Sequence, residues 1–521
     1  MGPYLYDGDP VFYFQGAVNI LSSGRYVVDG YSPVWPMGYS LAIIPFLLFI
    51  SSEIAGIMPS LIFSLFSIVL IYYWGKRIFS PAVGFLSALL LSFSEGFLIE
   101  SVNVSSDTQA LFFYLLSVYM LFEGRRGEKG EFSPQISPGL WKIFLSGFFL
   151  GLASLTRYSY IIFLILPFIY IFFLNYSSLT KRGMFLDFKH LSYITLIFFG
   201  GFIIPLIPQL IYNQNHFGAF YRTGYSQVGG GFPDILKVAV PNLFRFFYRI
   251  TFSWDFFSPF LFVFFLLSLT ISIRRKSYSL ILLLLLLFSL GILPFIFYSI
   301  SPMKPRFLMV VLPWFLIFGS SGIMEVSESI QERIFPFLKS RLYRAVLLTL
   351  FLSLLFAPFA AQSLLHALQM REENRLVKES FSWIRENSDS EDIILSIPRY
   401  VGHFLFYKRT RQDVWAAKYY SERVVYSLDE DLAFLYWMEE NRSIYVVLNE
   451  FWMTENNLLT ENYDLVISNW ERLRSEFDIS LVKSMKAGKE PYVLKKLLTY
   501  SFYPLNYQMV RHNLLIYKIK M

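Results

Sequence analysis

Cysteine is absent from all 521 residues. That excludes disulfides, thiolate nucleophiles and Cys-ligated metal, and it leaves the redox compartment open. Charge is scarce too. Asp, Glu, Lys and Arg make up 16% of the chain, against about 25% in an average soluble one. Meanwhile 55% of residues are hydrophobic, 20% are aromatic and the mean hydropathy is +0.48. A single larger core cannot absorb this excess, because cores stop growing at roughly 250–300 residues. The missing polar surface therefore faces lipid, and an ordinary soluble globule is excluded. Only five histidines occur, at positions 190, 216, 366, 403 and 512, scattered without zinc-ligand spacing. The net charge of +7 fits basic cytoplasmic loops and gives no nucleic-acid footprint.

What is present is a series of apolar stretches of roughly bilayer length: Ile54–Trp74, Ala82–Phe93, Asp107–Phe122, Ile143–Thr156, Tyr158–Leu174, Leu191–Tyr212, Pro259–Ile273, Leu280–Tyr298, Phe307–Ile323 and Ala345–Ala361. About ten crossings are expected. Tyr39–Ile50 is apolar but short, as an interfacial helix would be. Lys76 and Arg77, Arg125, Arg126 and Lys129, Lys181, Arg182 and Lys189, Arg274, Arg275 and Lys276, and Arg333, Lys339, Arg341 and Arg344 fall in alternate loops. Those loops are expected to be cytoplasmic, which puts the intervening loops and everything after Gln362 outside. Roughly half of all charged residues lie beyond position 370. The expected organisation is a mainly α, polytopic membrane domain over 1–361, with a first outer loop over 1–38, followed by a small extracytoplasmic α/β domain over 371–521. A multi-pass protein of the plasma membrane is implied.

No Asp, Glu, Lys, Arg or His sits near the middle of any expected span. Ion-coupled transporters need such residues at the midplane, so a lipid or polysaccharide transporter is the weaker alternative. Charge gathers instead at the outer ends, at Asp7, Asp9, Glu95, Glu100, Asp107, Arg157, Lys304 and Arg306. Asp7-Gly8-Asp9-Pro10 alone is a turn sequence. In a polar, aromatic outer loop it also offers a carboxylate able to take the proton of an acceptor hydroxyl, and the Asp7/Asp9 pair could supply oxygen ligands to Mg²⁺ or Mn²⁺. Near Asp107, one of Ser105, Ser106 or Asp107 should cap the following helix. A carboxylate there can also face a site at the mouth of a helical bundle. Arg157, with no acidic neighbour in sequence, is a snorkelling arginine or a phosphate contact. Lys304 and Arg306, in SPMKPRF, could complete an anion site.

An acidic outer loop, then WPMGYS at Trp35–Ser40, SSDTQALFFYLLSVY from Ser105, LSGFFLGLASLTRYSY from Leu145 and IPQLIYNQNHFGAFY over Ile207–Tyr221 follow one another in order. Together with Arg306-Phe307 heading a late span, this order resembles the dolichyl-phosphate-mannose-protein mannosyltransferase family and its bacterial and archaeal relatives. These are GT-C glycosyltransferases. The similarity runs over most of residues 7 to 324 and rests on the order of the segments, no one of which is diagnostic.

The resemblance implies inverting transfer of a sugar from a polyprenyl phosphate to a protein, lipid or glycan acceptor on the outer or luminal face. It implies Asp9 as the leading candidate for general base, with Asp7 and Asp107 beside it. It puts Arg157 and Arg306 near the lipid phosphate, with Lys304, Trp35, Tyr39 and Tyr13 lining the same groove. Family members carry a span ahead of the catalytic loop, so a first span is expected to be missing before Met1. Some relatives have a lysine before the Pro-rich turn, where this chain reads Ser32-Pro33-Val34. Ser253-Trp254-Asp255-Phe256 only echoes the oligosaccharyltransferase signature, which makes en bloc glycan transfer the lesser alternative. In the tail, strands are expected at Asp392–Ile397, Ile444–Leu448, Ile479–Val482 and Leu514–Ile519. Trp383, Trp415, Trp437 and Trp452 are expected to serve mainly as core rather than as sugar platforms.

Overall fold

The computed structural model describes residues 8–28, 32–33, 35–50, 52–123, 139–168, 188–223, 259–275, 306, 309–334, 361, 364, 368, 375–376, 378–396, 421, 424–427, 443–449, 463–485 and 514–520. The elements are α1 (Gly8–Ser23), α2 (Gly38–Leu47), α3 (Ile54–Ile78), α4 (Pro81–Phe93), α5 (Glu95–Ser101), α6 (Ser106–Glu123), α7 (Leu140–Thr156), a 3-10 helix over Tyr158–Ile165, α8 (Phe188–Phe217), α9 (Pro259–Arg275) and α10 (Leu312–Ile334). After these come β1 (Ile393–Ser396), β2 (Val424–Ser427), β3 (Ser443–Asn449), α11 (Tyr463–Glu476), β4 (Asp478–Met485) and β5 (Leu514–Lys520). The chain divides into two compact units. One holds Gly16–Ile50 and Ile57–Ser363; the other holds Met1–Gln15, Ser51–Gly56 and Leu364–Met521.

In the helical unit the expected apolar stretches form helices wherever they are described. Among the described residues, Ile54–Ile78 and Ser192–Phe217 are long and apolar enough to cross a bilayer alone. A third candidate is the pair α4 and α5, bent by 66° between Phe93 and Glu95. Among the described residues, fewer straight crossings appear than the ten apolar stretches imply: α4 stops at Phe93 and the chain turns, and Leu140–Thr156, Tyr158–Phe168 and Leu261–Thr270 are apolar but shorter than a full crossing. The expected span Leu280–Tyr298 and nearly all of Ala345–Ala361 lie outside the described residues. A short apolar helix, α2, spans most of the stretch Tyr39–Ile50 expected to be helical.

Small residues fix the helix spacing. A Cβ on Gly147 would lie 1.9 Å from the Phe198 carbonyl oxygen, one on Gly151 2.3 Å from that of Phe202, and one on Gly201 2.1 Å from that of Phe144. The α7 and α8 backbones therefore touch along a Gly-x-x-x-Gly seam, as membrane helices do when side chains stay out of the way. The same device acts at Gly38, whose Cβ would sit 2.5 Å from the Leu155 carbonyl oxygen, pinning the start of α2 against the last turn of α7. Met37 N donates to Gln209 Oε1 at 2.9 Å, Gln209 Nε2 donates to Asn213 Oδ1 at 2.9 Å, and Asn213 Nδ2 donates to the Phe220 carbonyl at 3.2 Å. Two buried amides on a helix containing Pro205 and Pro208 thus hold the WPMG turn in place.

The tail carries a five-stranded sheet in the order β2-β1-β3-β5-β4. β1 runs parallel to β2 and β3, and β5 is antiparallel to both β3 and β4. Strands occur at all four expected places, and β2 is additional. Buried Asp392 stitches the start of the sheet, accepting the Ser443 N–H through Oδ1 and the Asp389 N–H through Oδ2, each at 2.9 Å. Trp383 is half-buried with Lys483 Nζ 6.0 Å from its ring; Trp415, Trp437 and Trp452 lie outside the described residues. In the same unit Lys378 Nζ grips both oxygens of Glu53, at 2.9 and 3.0 Å.

Candidate active site

The first turn of α6 carries the charged centre. Ser105 precedes the helix, and its Oγ accepts the Asp107 N–H at 3.3 Å. Ser105 is thus the residue that satisfies a free amide there, which leaves the Asp107 carboxylate available. Asp107 Oδ2 lies 2.7 Å from Arg157 Nη1 and 3.9 Å from Arg306 Nε. The side chains of Asp107, Arg157 and Arg306 keep only 6%, 17% and 15% of their surface exposed. Arg157 stands in extended backbone immediately after α7, so its side chain turns toward α6 instead of running on along its own helix. Its Nη1 also reaches Ser106 Oγ at 3.4 Å. Two guanidiniums from distant parts of the chain meet one carboxylate.

A second acid joins them. Glu100, near the end of α5, lies within electrostatic reach of Asp107, Arg306, Arg157 and the Ser105 hydroxyl. The turn between α5 and α6 is anchored from α3. Ser60 Oγ donates to the Ser105 carbonyl at 2.8 Å and accepts the Ser105 N–H at 3.2 Å, and Thr108 Oγ1 donates to the Ser60 carbonyl at 3.2 Å. Because the one Ser60 hydroxyl hydrogen is committed, Tyr39 donates to Ser60 Oγ.

The expected site residues fall as follows. Asp107, Arg157 and Arg306 come together. Tyr39 is fully buried, with its hydroxyl engaged on the strut that holds Ser105. The Trp35 carbonyl accepts the Tyr26 hydroxyl at 3.3 Å, and the indole is partly exposed. Asp9 is buried in the first turn of α1, and Tyr13 is buried one turn later. Asp7 and Lys304 lie outside the described residues, and with Asp7 the carboxylate pair that could take Mg²⁺ or Mn²⁺. Among the described residues no group of three or more His, Asp or Glu is placed to hold a metal ion.

Residues 32–207 match the model of the family described as dolichyl-phosphate-mannose-protein mannosyltransferase. The structure superposes on ArnT from Cupriavidus metallidurans in the apo state, with a TM-score of 0.54, 11% identity and coverage of 99% of this chain and 94% of that one. It also superposes on the same protein bound to undecaprenyl phosphate, at TM-score 0.54 and 11% identity over 92% of both chains. The fold is that of the GT-C glycosyltransferases. A third GT-C structure, the oligosaccharyltransferase of Archaeoglobus fulgidus tethered with an acceptor peptide, matches at TM-score 0.52 and 13% identity, over 86% of this chain and 65% of that one. No curated protein matches the sequence.

Within this GT-C frame, Glu100 and its nearness to Ser105 went unassigned by sequence reasoning, although Glu100 stood among the outer-end charges. The available signal was two acids bracketing a serine-rich turn, ESVNVSSD. The Gln209 and Asn213 tether was visible only as part of the IPQLIYNQN segment.

Proposed function

We propose that the protein is an integral membrane glycosyltransferase that moves a sugar from a polyprenyl phosphate to a hydroxyl or amine acceptor at the outer or luminal face, with inversion. The observation that carries this reading is the convergence of Arg157 and Arg306 on Asp107 in a chain with a GT-C fold. One such neighbour holds undecaprenyl phosphate, and the Archaeoglobus fulgidus oligosaccharyltransferase AglB is complexed with a dolichol-phosphate and an inhibitory peptide. Guanidinium matches phosphate bidentately. Two of them held by one carboxylate present hydrogen-bond donors aimed at one point before the ligand arrives.

In the proposed reaction the acceptor oxygen attacks the anomeric carbon as the bond from that carbon to the phosphate oxygen breaks. The acceptor proton passes to a carboxylate, and the phosphate departs with the bonding pair. Arg157 and Arg306 stabilise the charge that develops on the departing phosphate. Asp9 is proposed as the proton acceptor on its place in the first acidic segment and its burial. The outer-face orientation of the site and of the tail rests on the alternation of basic loops. Sugar transfer in proteoliposomes supplied with polyprenyl-phosphate sugars and an acceptor tests the assignment. Asp9→Asn is expected to slow turnover by about 10²–10⁴-fold, and Arg157→Lys by about 10²-fold or more through loss of a charge-stabilising donor pair. Parental turnover in both variants would remove these roles.

A further inference from the structure

Serine in an apolar helix commonly turns its hydroxyl back on its own backbone, to a carbonyl three or four residues earlier. Ser64 and Ser67 do so on α3, donating to the Leu61 and Phe63 carbonyls at 2.7 and 2.8 Å. Ser87 does so on α4, donating to the Val83 carbonyl at 2.7 Å. Ser60, fully buried on the same α3, is turned outward. Its hydrogen goes to the Ser105 carbonyl at 2.8 Å, 45 residues away in the chain. Its oxygen takes the Ser105 N–H at 3.2 Å and the Tyr39 hydroxyl. A hydroxyl has one hydrogen and two lone pairs, so every place is filled, and Tyr39 fills the last. Without the Tyr39 hydroxyl the outward rotamer loses a bond, and the inward one gains against it. An inward Ser60 lets go of both backbone groups of Ser105. Ser105 is the residue whose Oγ takes the Asp107 N–H at 3.3 Å and donates to Asp107 Oδ2 at 3.1 Å.

The backbone that carries Tyr39 is seated from the other side of the charged centre as well. A Cβ on Gly38 would lie 2.5 Å from the Leu155 carbonyl oxygen and 2.8 Å from the Thr156 nitrogen, and Arg157 is the next residue. Met37 N is held by Gln209 Oε1 at 2.9 Å. The short run Met37-Gly38-Tyr39 therefore touches the backbone from which Arg157 extends and, through Ser60, the backbone from which Asp107 extends. Those two side chains meet at 2.7 Å. Tyr39 itself is fully buried, so it offers no face to a ligand, and the groove-lining place expected for it becomes a place behind the site. We infer that Tyr39 is a positioning residue: by holding the Ser60 hydroxyl outward it fixes the Ser105 turn, and with it the placing of Asp107 and of the two guanidiniums that Asp107 gathers toward a lipid phosphate. The inference deepens the polyprenyl-phosphate reading above and rests on it. Thr108 Oγ1 still donates to the Ser60 carbonyl at 3.2 Å, so loss of the Tyr39 hydroxyl shifts the site without parting α3 from α6.

Tyr39→Phe keeps the ring and removes the bond. Undecaprenyl phosphate is titrated into the full-length protein in detergent micelles, with affinity read by calorimetry and the bound phosphate by its phosphorus NMR resonance at saturation. That resonance reads the donors around the phosphate, whatever the affinity. Tyr39→Phe should weaken binding by about fivefold, the worth of one buried hydrogen bond, and should shift the bound resonance. Ser60→Ala should do both as well. The double variant Tyr39→Phe, Ser60→Ala should match Ser60→Ala in both readings, because the first change has nothing left to act through. Ser64→Ala, which removes a hydroxyl bonded to its own helix, should keep the parent's affinity and resonance, whereas a general loosening of α3 would not spare it. A Tyr39→Phe variant whose affinity or resonance stays parental, a double variant whose losses multiply, or a Ser64→Ala variant shifted as Tyr39→Phe is, overturns the positioning role. Should Ser60→Ala fail to fold, Tyr39→Phe against Ser64→Ala decides alone. A parent that binds no undecaprenyl phosphate removes the polyprenyl-phosphate reading and the inference together, and so is told apart from loss of the positioning role.

Discussion

Asp107 is the residue on which the charged cluster turns, because it is the carboxylate that both Arg157 and Arg306 approach. Removing one member of a buried ion pair strands the other and typically costs about 3–5 kcal/mol, while removing both costs much less. Asp107→Ala should therefore destabilise the protein by that order, and the Asp107→Ala, Arg157→Ala double variant by clearly less than the sum of the two single changes. Thermal unfolding in detergent, followed through tryptophan fluorescence, checks this, and strict additivity would show the pair to be energetically silent. At this scale part of the site was legible in the sequence. Arg157, with no acid beside it in the chain, was read as a snorkelling arginine or a phosphate contact, and Arg306, heading a late span, as part of an anion site with Lys304; their approach to Asp107 arises only in three dimensions. Glu100 was not assigned, because its nearness to Asp107, Arg157 and Arg306 arises only in three dimensions. Asp9 was legible as a carboxylate in a turn-like sequence, yet the turn signal misstates its setting. Gly8 and Pro10 begin a helix, where proline is at home in the first turn, and Asp9 is buried within it.

Among the elements, the α7 and α8 pair is the most demanding contact. Gly147, Gly151 and Gly201 leave no room for a side chain, so Gly147→Leu must part the two backbones. Overpacking usually costs 1–3 kcal/mol or more. The expected outcome is a protein that melts several degrees lower, with the end of α7 displaced and Arg157 with it, so that the proposed transfer falls further than the change in stability alone accounts for. Gly200→Leu, at a neighbouring position where an added Cβ meets nothing within 4 Å, should do neither. Parallel measurement of melting and turnover separates the two. Helices were legible here because apolar runs of more than a dozen residues have few other ways to satisfy their backbone in lipid. The break after Phe93 was not foreseen as a bend, since Ser94-Glu95-Gly96 looks like an ordinary loop, whereas α5 continues helical beyond it. In the tail the four stronger apolar runs were read as strands. β2 was missed, being four residues long and lying close to charged neighbours, and its place in the sheet depends on pairing with β1.

For the molecule as a whole, the absence of cysteine becomes an experimental advantage. Single cysteines introduced at Ser475, exposed on α11, and at Glu128, in a basic loop, should respond oppositely to a membrane-impermeant maleimide applied to intact cells. The first should label, and the second should label only after permeabilisation. The reverse pattern would invert the orientation proposed from the basic loops. Depth matters as much as sidedness. Had the helix of Pro81–Phe93 run straight on, the seven residues to Glu100 would have lifted that acid about 10 Å along the axis. Turned through 66°, the same residues climb less than half of that, by about 4 Å. On the proposed reading, an isoprenoid carrier floats with its phosphate at the boundary between acyl chains and water, so an elbow that keeps the acid low would let the headgroup be met where it already rides. The proposed carrier would then glide in sideways from the leaflet, with no need to be drawn upward out of it.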